Sequence, residues 1–351
     1  DVKQAVAALR RDGRSIADIA YTTGKTFDAI KSMVSSGRYP LGRAAHDEPA
    51  PDAPIIAQPK HTGFVLDVPV RPFAVQIPKA PAIHTGKTFC AVIYGDTHIP
   101  FHDPAAVRVV QAIVQAANPD VLLNIGDLVD CYSVSRFDKD PTRRDSLQDH
   151  IDESRQHLAE MALLAPKARR VLLEGNHENR LARLIASLDG AHRELPKLRI
   201  FQHAMTWPVL LELDAIGFEW VAEREQSKAA ILPKIIAKHG TIVRKWAGYT
   251  ARGEWEKYGA SGISGHTHRM GYFIHRDHNG QASWIETGCT CLLDPPYGTD
   301  FDWAQGCVVL TWNADRRLMQ AELVRVRDGS ALYRDKEITG PGAEISVDSR
   351  G

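Results

Sequence analysis

Cysteine is scarce in this chain of 351 residues, and the five present (Cys90, Cys131, Cys289, Cys291 and Cys307) are odd in number. That excludes a disulfide-stapled scaffold and suits a reducing compartment, so a cytoplasmic location is the expectation. Long apolar runs are missing too. No stretch of about 18 apolar residues could span a bilayer, and the first residues alternate charge with alanine where a secretory signal would need an apolar centre. No membrane partner is expected. Net charge is also lacking, since 43 Lys and Arg balance 43 Asp and Glu. A chain-wide basic field that would hold nucleic acid is therefore excluded, and any such contact must be local. Repeats at solenoid spacing and long low-complexity tracts are absent as well.

What is present is length enough for a catalytic domain with something smaller attached. Residues 1–38 carry helical spacing in three short pieces: Ala5, Val6 and Leu9, then Ile16, Ile19 and Ala20, then Phe27, Ile30 and Val34. Gly24, in Thr22-Thr23-Gly24-Lys25, stands where a tight interhelical turn calls for positive φ. The segment resembles a helix-turn-helix, and up to Arg43 it holds eight Lys or Arg against four Asp. If it binds DNA, the third piece enters the major groove and presents Lys25, Thr26, Lys31 and Ser32. The alternative is a three-helix docking or oligomerisation module. Residues 39–87 shift to Pro, Ala and short polar residues and read as a linker.

From Thr88 the pattern becomes strand, helix, strand. Phe89 to Tyr94 is a buried strand, and Asp103-Pro104 caps a helix with the stripe Ala106, Val109, Val110, Ile113, Val114 and Ala117. The strand Val121 to Ile125 follows, then a helix through Ile151 to Leu164 and a strand Arg170 to Leu173. Beyond about Phe218 short strands dominate, at Ile235 to Lys238, Tyr272 to His275, Ser283 to Glu286, Cys307 to Trp312 and Gln320 to Val326. The expectation is an α/β domain over 88–327, a layered β-sandwich flanked by helices, with a polar, mobile tail over 328–351.

Five short motifs end these apolar runs: Gly95-Asp96-Thr97-His98, Gly126-Asp127-Leu128-Val129-Asp130, Gly175-Asn176-His177-Glu178, His239-Gly240 and Gly265-His266-Thr267-His268. Each alone is weak, but together they supply ligands for two metal ions at the carboxyl ends of adjacent strands, where α/β sheets place their sites. Asp96 and His98 are two apart at a strand end, as are His266 and His268, so in extended backbone each pair points one way. Two divalent ions about 3.5–4 Å apart can clamp both oxygens of a phosphoryl transfer if a ligand bridges them. The Cys289-x-Cys291 pair reads as buried packing rather than a third metal site.

The ordered set resembles that of the calcineurin-like metallophosphoesterase superfamily, over roughly Phe89 to Trp312, and the resemblance implies a four-layer sandwich. It also implies one metal on Asp96, His98, the bridging Asp127 and His268, and a second on Asp127, Asn176, His239 and His266. His98 can alternatively be a donor behind the ligands. His177 resembles the family's catalytic histidine, Asp130 the acid that fixes its imidazole, and a metal-bridging hydroxide would be the nucleophile for in-line attack. The cofactors implied are two divalent ions, manganese favoured over iron, zinc, nickel or cobalt. The helix beginning at Glu178, with the stripe Leu181, Leu184, Ile185 and Leu188, aims its positive end toward the site.

The chain departs from the Ser/Thr phosphatases of that superfamily at Cys131, where they carry a phosphate-gripping Arg; Arg180 and Arg136 are substitute candidates. The arrangement is similar to that of phage and prophage members of the superfamily. It points to a phosphodiesterase acting on DNA or nucleotides. The alternatives are a small-molecule phosphomonoesterase or cyclic-nucleotide phosphodiesterase whose N-terminal helices oligomerise it, and a DNA-binding regulator whose phosphoesterase domain is inactive.

Overall fold

The computed structural model describes residues 88–340, apart from 137–138, 279, 297, 299 and 314–317. The segments 1–38 and 39–87, with Lys25, Thr26, Lys31 and Ser32, lie outside the described residues, as do residues 341–351.

Strand β1 (Phe89–Tyr94) is apolar on both faces: Val92 and Tyr94 enter one core, Ala91 and Ile93 another. Strands β2 (Val121–Asn124) and β3 (Arg169–Leu173) repeat this, with Leu122 and Leu172 on the first side and Leu123, Val171 and Leu173 on the second. A sheet of such strands must be covered on both faces. On one side lie α1 (Pro104–Ala117) and α2 (Leu147–Leu164). Asp103 caps α1 by accepting the N–H groups of Ala105 and Ala106, and Ser146 with Asp149 forms a capping box on α2. After β3 come α3 (Asn179–Ala186), short helical turns and strand β4 (Glu219–Val221).

On the other side packs a second sheet, built from β5 (Ile236–Lys238), β6 (Gly262–Ser264), β7 (Met270–Asp277) and β8 (Gly280–Thr287) in the order β5-β6-β8-β7. Ile263 and Ile285 meet Ile93, Leu123 and Leu173 between the sheets. Helix α4 (Tyr249–Tyr258), between β5 and β6 in sequence, packs on this second sheet, giving the four layers. The first sheet is completed by β9 (Gln305–Asn313) and β10 (Leu318–Val326), in the order β10-β9-β1-β2-β3-β4, with β1 to β4 parallel and β9 antiparallel to both its neighbours. No helix among the described residues is long and apolar enough to cross a membrane.

Two expectations need correction, and one helix is added to them. The tail expected from 328 is a hairpin through Thr339, β11 (Ser330–Tyr333) with β12 (Lys336–Thr339), because Ala331 and Tyr333 alternate into the first core while Leu332 faces out. Helix α3 ends at Ala186, and Leu184 is exposed, so its buried contact is chiefly Leu181. Helix α4 carries only a short stripe, Ala251, Trp255 and Tyr258, which Glu254 interrupts, so the sequence does not announce it. It buries Thr250, Ala251, Gly253 and Glu254, and Glu254 enters only because Lys238 meets it at 3.1 Å.

Candidate metal centre

The ligand-type residues occupy the loops that leave β1, β2, β3, β5 and β6. Their backbone is not extended: Asp96, His98, Asp127, His266 and His268 have φ of 47°, 53°, 51°, 71° and 56°. The pairs Asp96/His98 and His266/His268 therefore converge through left-handed turns, not through strand alternation. Left-handed backbone costs a non-glycine residue roughly 1–2 kcal/mol, and such strain gathers at functional sites. Two glycines make the convergence possible. A Cβ at Gly175 would collide with the Asp127 carboxylate, and one at Gly265 with that of Asp96.

Two candidate ligand clusters share one carboxylate: Asp96, His98, Asp127 and His268, and then Asp127, His239 and His266. In the first, His268 Nε2 lies 3.0 Å from His98 Nε2 and 3.3 Å from Asp96 Oδ1, and His98 Nε2 lies 3.6 Å from Asp127 Oδ2. In the second, His239 Nε2 lies 3.3 Å from Asp127 Oδ2 and 3.0 Å from Asn176 Oδ1. His266 stacks edge-on against His239 with ring centroids 5.2 Å apart. Donor atoms about 2.0–2.1 Å from one ion sit about 3.0–3.4 Å from each other in octahedral or tetrahedral shells; four of these separations fall in that range, and that from His98 Nε2 to Asp127 Oδ2 is slightly longer.

Tautomers point the same way. His239 Nδ1–H donates to the Ile125 carbonyl at 3.0 Å, so its Nε2 turns a lone pair toward the acceptors Asp127 Oδ2 and Asn176 Oδ1. Acceptors facing one another in a buried place require a cation between them. The same carboxylates favour positive charge on the ring: burial alone would push His239 down, but Asp127 and Asp96 lift it to about 10. Burial and the His177 charge push His98 down to about 4. Burial would raise Asp127, yet the surrounding histidines hold it well below the carboxylate range.

His177 sits beside this set. Its backbone N–H donates to Asp127 Oδ1 at 2.8 Å, and its Nδ1 donates to the Asp130 carbonyl at 2.8 Å. The Asp130 carboxylate is shared, 2.9 Å from His98 Nδ1 and 3.1 Å from His177 Nδ1. Sequence reasoning gave Asp130 to His177 alone; the second partner follows from the left-handed turn at His98. Burial lowers His177, and Asp127 and Asp130 more than reverse it, leaving its pKa raised.

Glu178, which sequence reasoning placed only as a helix start, fastens the loops together. Fully buried, it accepts the backbone N–H groups of Gly175 and Asp127 on Oε2, at 2.8 and 3.0 Å, and that of Val129 on Oε1 at 2.9 Å. Burial and then the Asp127 charge push it up to about 7, while two of those backbone donors pull the other way.

The centre opens into a cavity of 610 Å³ lined by His98, Asp127, Asn176, His177, His266 and His268, with Tyr132, Ser135, Arg180 and Trp303 around them. Arg180 is thus in the lining while Arg136 is outside it. Cys131 is buried, with burial raising its thiol pKa, and supplies no charge there. Cys289 and Cys291 are buried behind His268, with Cys291 Sγ 3.7 Å from its Nδ1. Trp303 carried no motif signal, because its place depends on folding across the chain.

A family model described as calcineurin-like phosphoesterase matches residues 91–270. The Gene 54 protein of Mycobacterium phage L5 is 29% identical over 255 residues, covering 68% of this chain and 94% of that protein. The Gene 54 protein of Mycobacterium phage D29 is 29% identical over 194 residues, covering 52% and 71%. Among solved structures, the phosphoesterase Yfce of E. coli is 13% identical with a TM-score of 0.31, covering 72% of this chain and 100% of that one. A Vps29 double mutant from Entamoeba histolytica is 12% identical with a TM-score of 0.36, covering 71% and 98%.

Proposed function

The chain belongs to the calcineurin-like phosphoesterase family, and on that premise we propose that it is a dinuclear metal-dependent phosphodiesterase acting on DNA or nucleotides. The observation that carries this is the Asp127 carboxylate, within 3.3 Å of His239 Nε2 on one side and 3.6 Å of His98 Nε2 on the other. One buried carboxylate between two sets of ligand-type side chains suits a bridging ligand. Asp96, His98, Asp127 and His268 would hold one ion, and Asp127, Asn176, His239 and His266 the other. Such a pair, when bound, activates water and offsets charge on the phosphoryl oxygens. Manganese is our preferred ion, since mixed imidazole, carboxylate and amide sets accept it.

The chain's own residues then do the following. Arg180 binds a non-bridging phosphate oxygen, in the place that Cys131 leaves without charge. His177 is held through Nδ1 by Asp130, so its Nε2 is aimed at the cavity and gives a proton to the departing oxygen as the bond from phosphorus to that oxygen breaks and water adds opposite. The basic segment up to Arg43, with eight Lys or Arg against four Asp, tilts the reading toward DNA or nucleotides and so toward a diester.

The test is hydrolysis of bis-p-nitrophenyl phosphate against p-nitrophenyl phosphate by metal-stripped protein refilled with Mn²⁺. The reading expects a diester preference of at least about tenfold in kcat/KM, a difference of roughly 1.4 kcal/mol. A monoester preference would overturn it in favour of a small-molecule phosphatase.

A further inference from the structure

Trp303 and Tyr132 both line the cavity. A row of ring contacts runs from Trp303 along the ligand histidines: Trp303 to His268 at 4.2 Å, His268 to His98 at 4.8 Å, and His98 to His177 at 4.3 Å between centroids. Tyr132 follows two residues after Asp130, whose carbonyl His177 binds.

The Trp303 wall is built rigidly. Phe301 stacks on the indole with centroids 4.1 Å apart and planes 7° from parallel. The strap carrying both rings is tied to the ligand loop twice: Ala304 N–H donates to the His268 carbonyl at 2.8 Å, and Asp302 pairs with Arg269 at 2.8 Å. Tyr132 is braced as well, edge-on to Phe101 and with Arg143 over its ring. Packing His268 alone would need only hydrocarbon. A pre-ordered two-ring stack presented to a charged cavity suits a flat, polarisable group joined to phosphate.

We infer that Trp303, braced by Phe301, is the surface on which a nucleobase of the substrate stacks. The site therefore selects phosphodiesters that carry a base next to the scissile phosphate over alkyl phosphoesters. This rests on the phosphodiesterase reading above and names what that site recognises.

The experiment is calorimetric binding of AMP and of ribose 5-phosphate to the Mn²⁺-loaded full chain, with Trp303→Leu and Phe301→Leu alongside. Metal content and bis-p-nitrophenyl phosphate hydrolysis are recorded for each protein. Wild type is expected to bind AMP about 5- to 150-fold more tightly than ribose 5-phosphate, the span of one stacking contact. Trp303→Leu should bring the ratio to within about twofold, and Phe301→Leu should reduce it while leaving metal content intact. If Trp303→Leu sheds metal, Phe301→Leu carries the test. Equal binding of the two ligands by an active wild type, or a ratio unchanged in Phe301→Leu and in a metal-replete Trp303→Leu, overturns the inference alone. Absence of hydrolysis with an intact AMP preference would instead overturn the phosphodiesterase reading.

Discussion

Arg180 donates from Nη2 to His177 Nε2 at 2.9 Å and from Nη1 to the Asp130 carbonyl at 2.9 Å. A guanidinium has only donors, so this bond exists only while Nε2 lacks a proton. For His177 to act as an acid, Arg180 must let go, and an arriving phosphate oxygen gives it a better partner. Phosphate binding and arming of the acid are thereby linked through one side chain. Arg180→Ala should lower kcat/KM for bis-p-nitrophenyl phosphate by roughly 10- to 100-fold, as loss of a charged hydrogen bond implies, with metal content unchanged. An unaltered kcat/KM would remove Arg180 from the account. His177→Ala should also keep its metal while losing about 10²-fold or more in turnover, least with p-nitrophenolate as leaving group.

Glu178 joins three backbone N–H groups from the loops of Asp127 and Asn176. Gln offers one oxygen where two are needed and turns an amide toward an N–H. Glu178→Gln should therefore destabilise the fold by roughly 1–3 kcal/mol and weaken metal retention, read by urea unfolding and metal analysis after dialysis. Wild-type stability and retention together would show that the buckle is dispensable.

Lys238 and Glu254 form an ion pair that is buried on both sides, 8% and 0% exposed in their side chains, and Lys238 also reaches Tyr258. Removing one partner strands the other charge. Lys238→Met should cost about 3–5 kcal/mol, and adding Glu254→Leu should restore most of it. Urea midpoints of the single and double variants check this; a double variant no better than the single would contradict it.

Burial, followed by the charge of His102, lowers the pKa of His157 to about 4. An unfolded histidine titrates near about 6.5, so between these values the unfolded chain binds the extra proton. The contribution is complete above about pH 6.5 and is lost as pH falls toward 4, by roughly 3 kcal/mol for such a shift. His157→Leu should flatten that part of the stability profile, measured by urea unfolding from pH 7 to pH 4. Parallel profiles for the two proteins would contradict it.

Much of this was legible before the fold. The strands β1 to β3 are apolar at every core position, which forces a sheet covered on both faces, and Asp103-Pro104 fixes the start of α1. The ligand set was readable because each motif pairs a glycine with a ligand, and Gly175 and Gly265 turn out to clear room for the carboxylates of Asp127 and Asp96. What the sequence hid is what depends on distant partners. Trp303 reaches the cavity only because its strap pairs with the His268 loop, and Glu178 matters for the backbone it gathers. Helix α4 escaped notice because its inward stripe of Ala251, Trp255 and Tyr258 is short and is interrupted by Glu254, whose charge Lys238 satisfies. The hairpin after β10 was masked by its charges, with Ala331, Tyr333 and Ile338 marking the inner face.

The central claim is that Asp127 serves two ions at once. The most direct measurement is metal content per chain after loading stripped protein with Mn²⁺ and desalting, for wild type and Asp127→Asn, with bis-p-nitrophenyl phosphate hydrolysis on the same samples. About two ions per active wild-type chain, falling to one or fewer in a variant with almost no activity, is the result a bridging carboxylate requires. An Asp127→Asn protein that keeps both ions and hydrolyses the diester like wild type would contradict it.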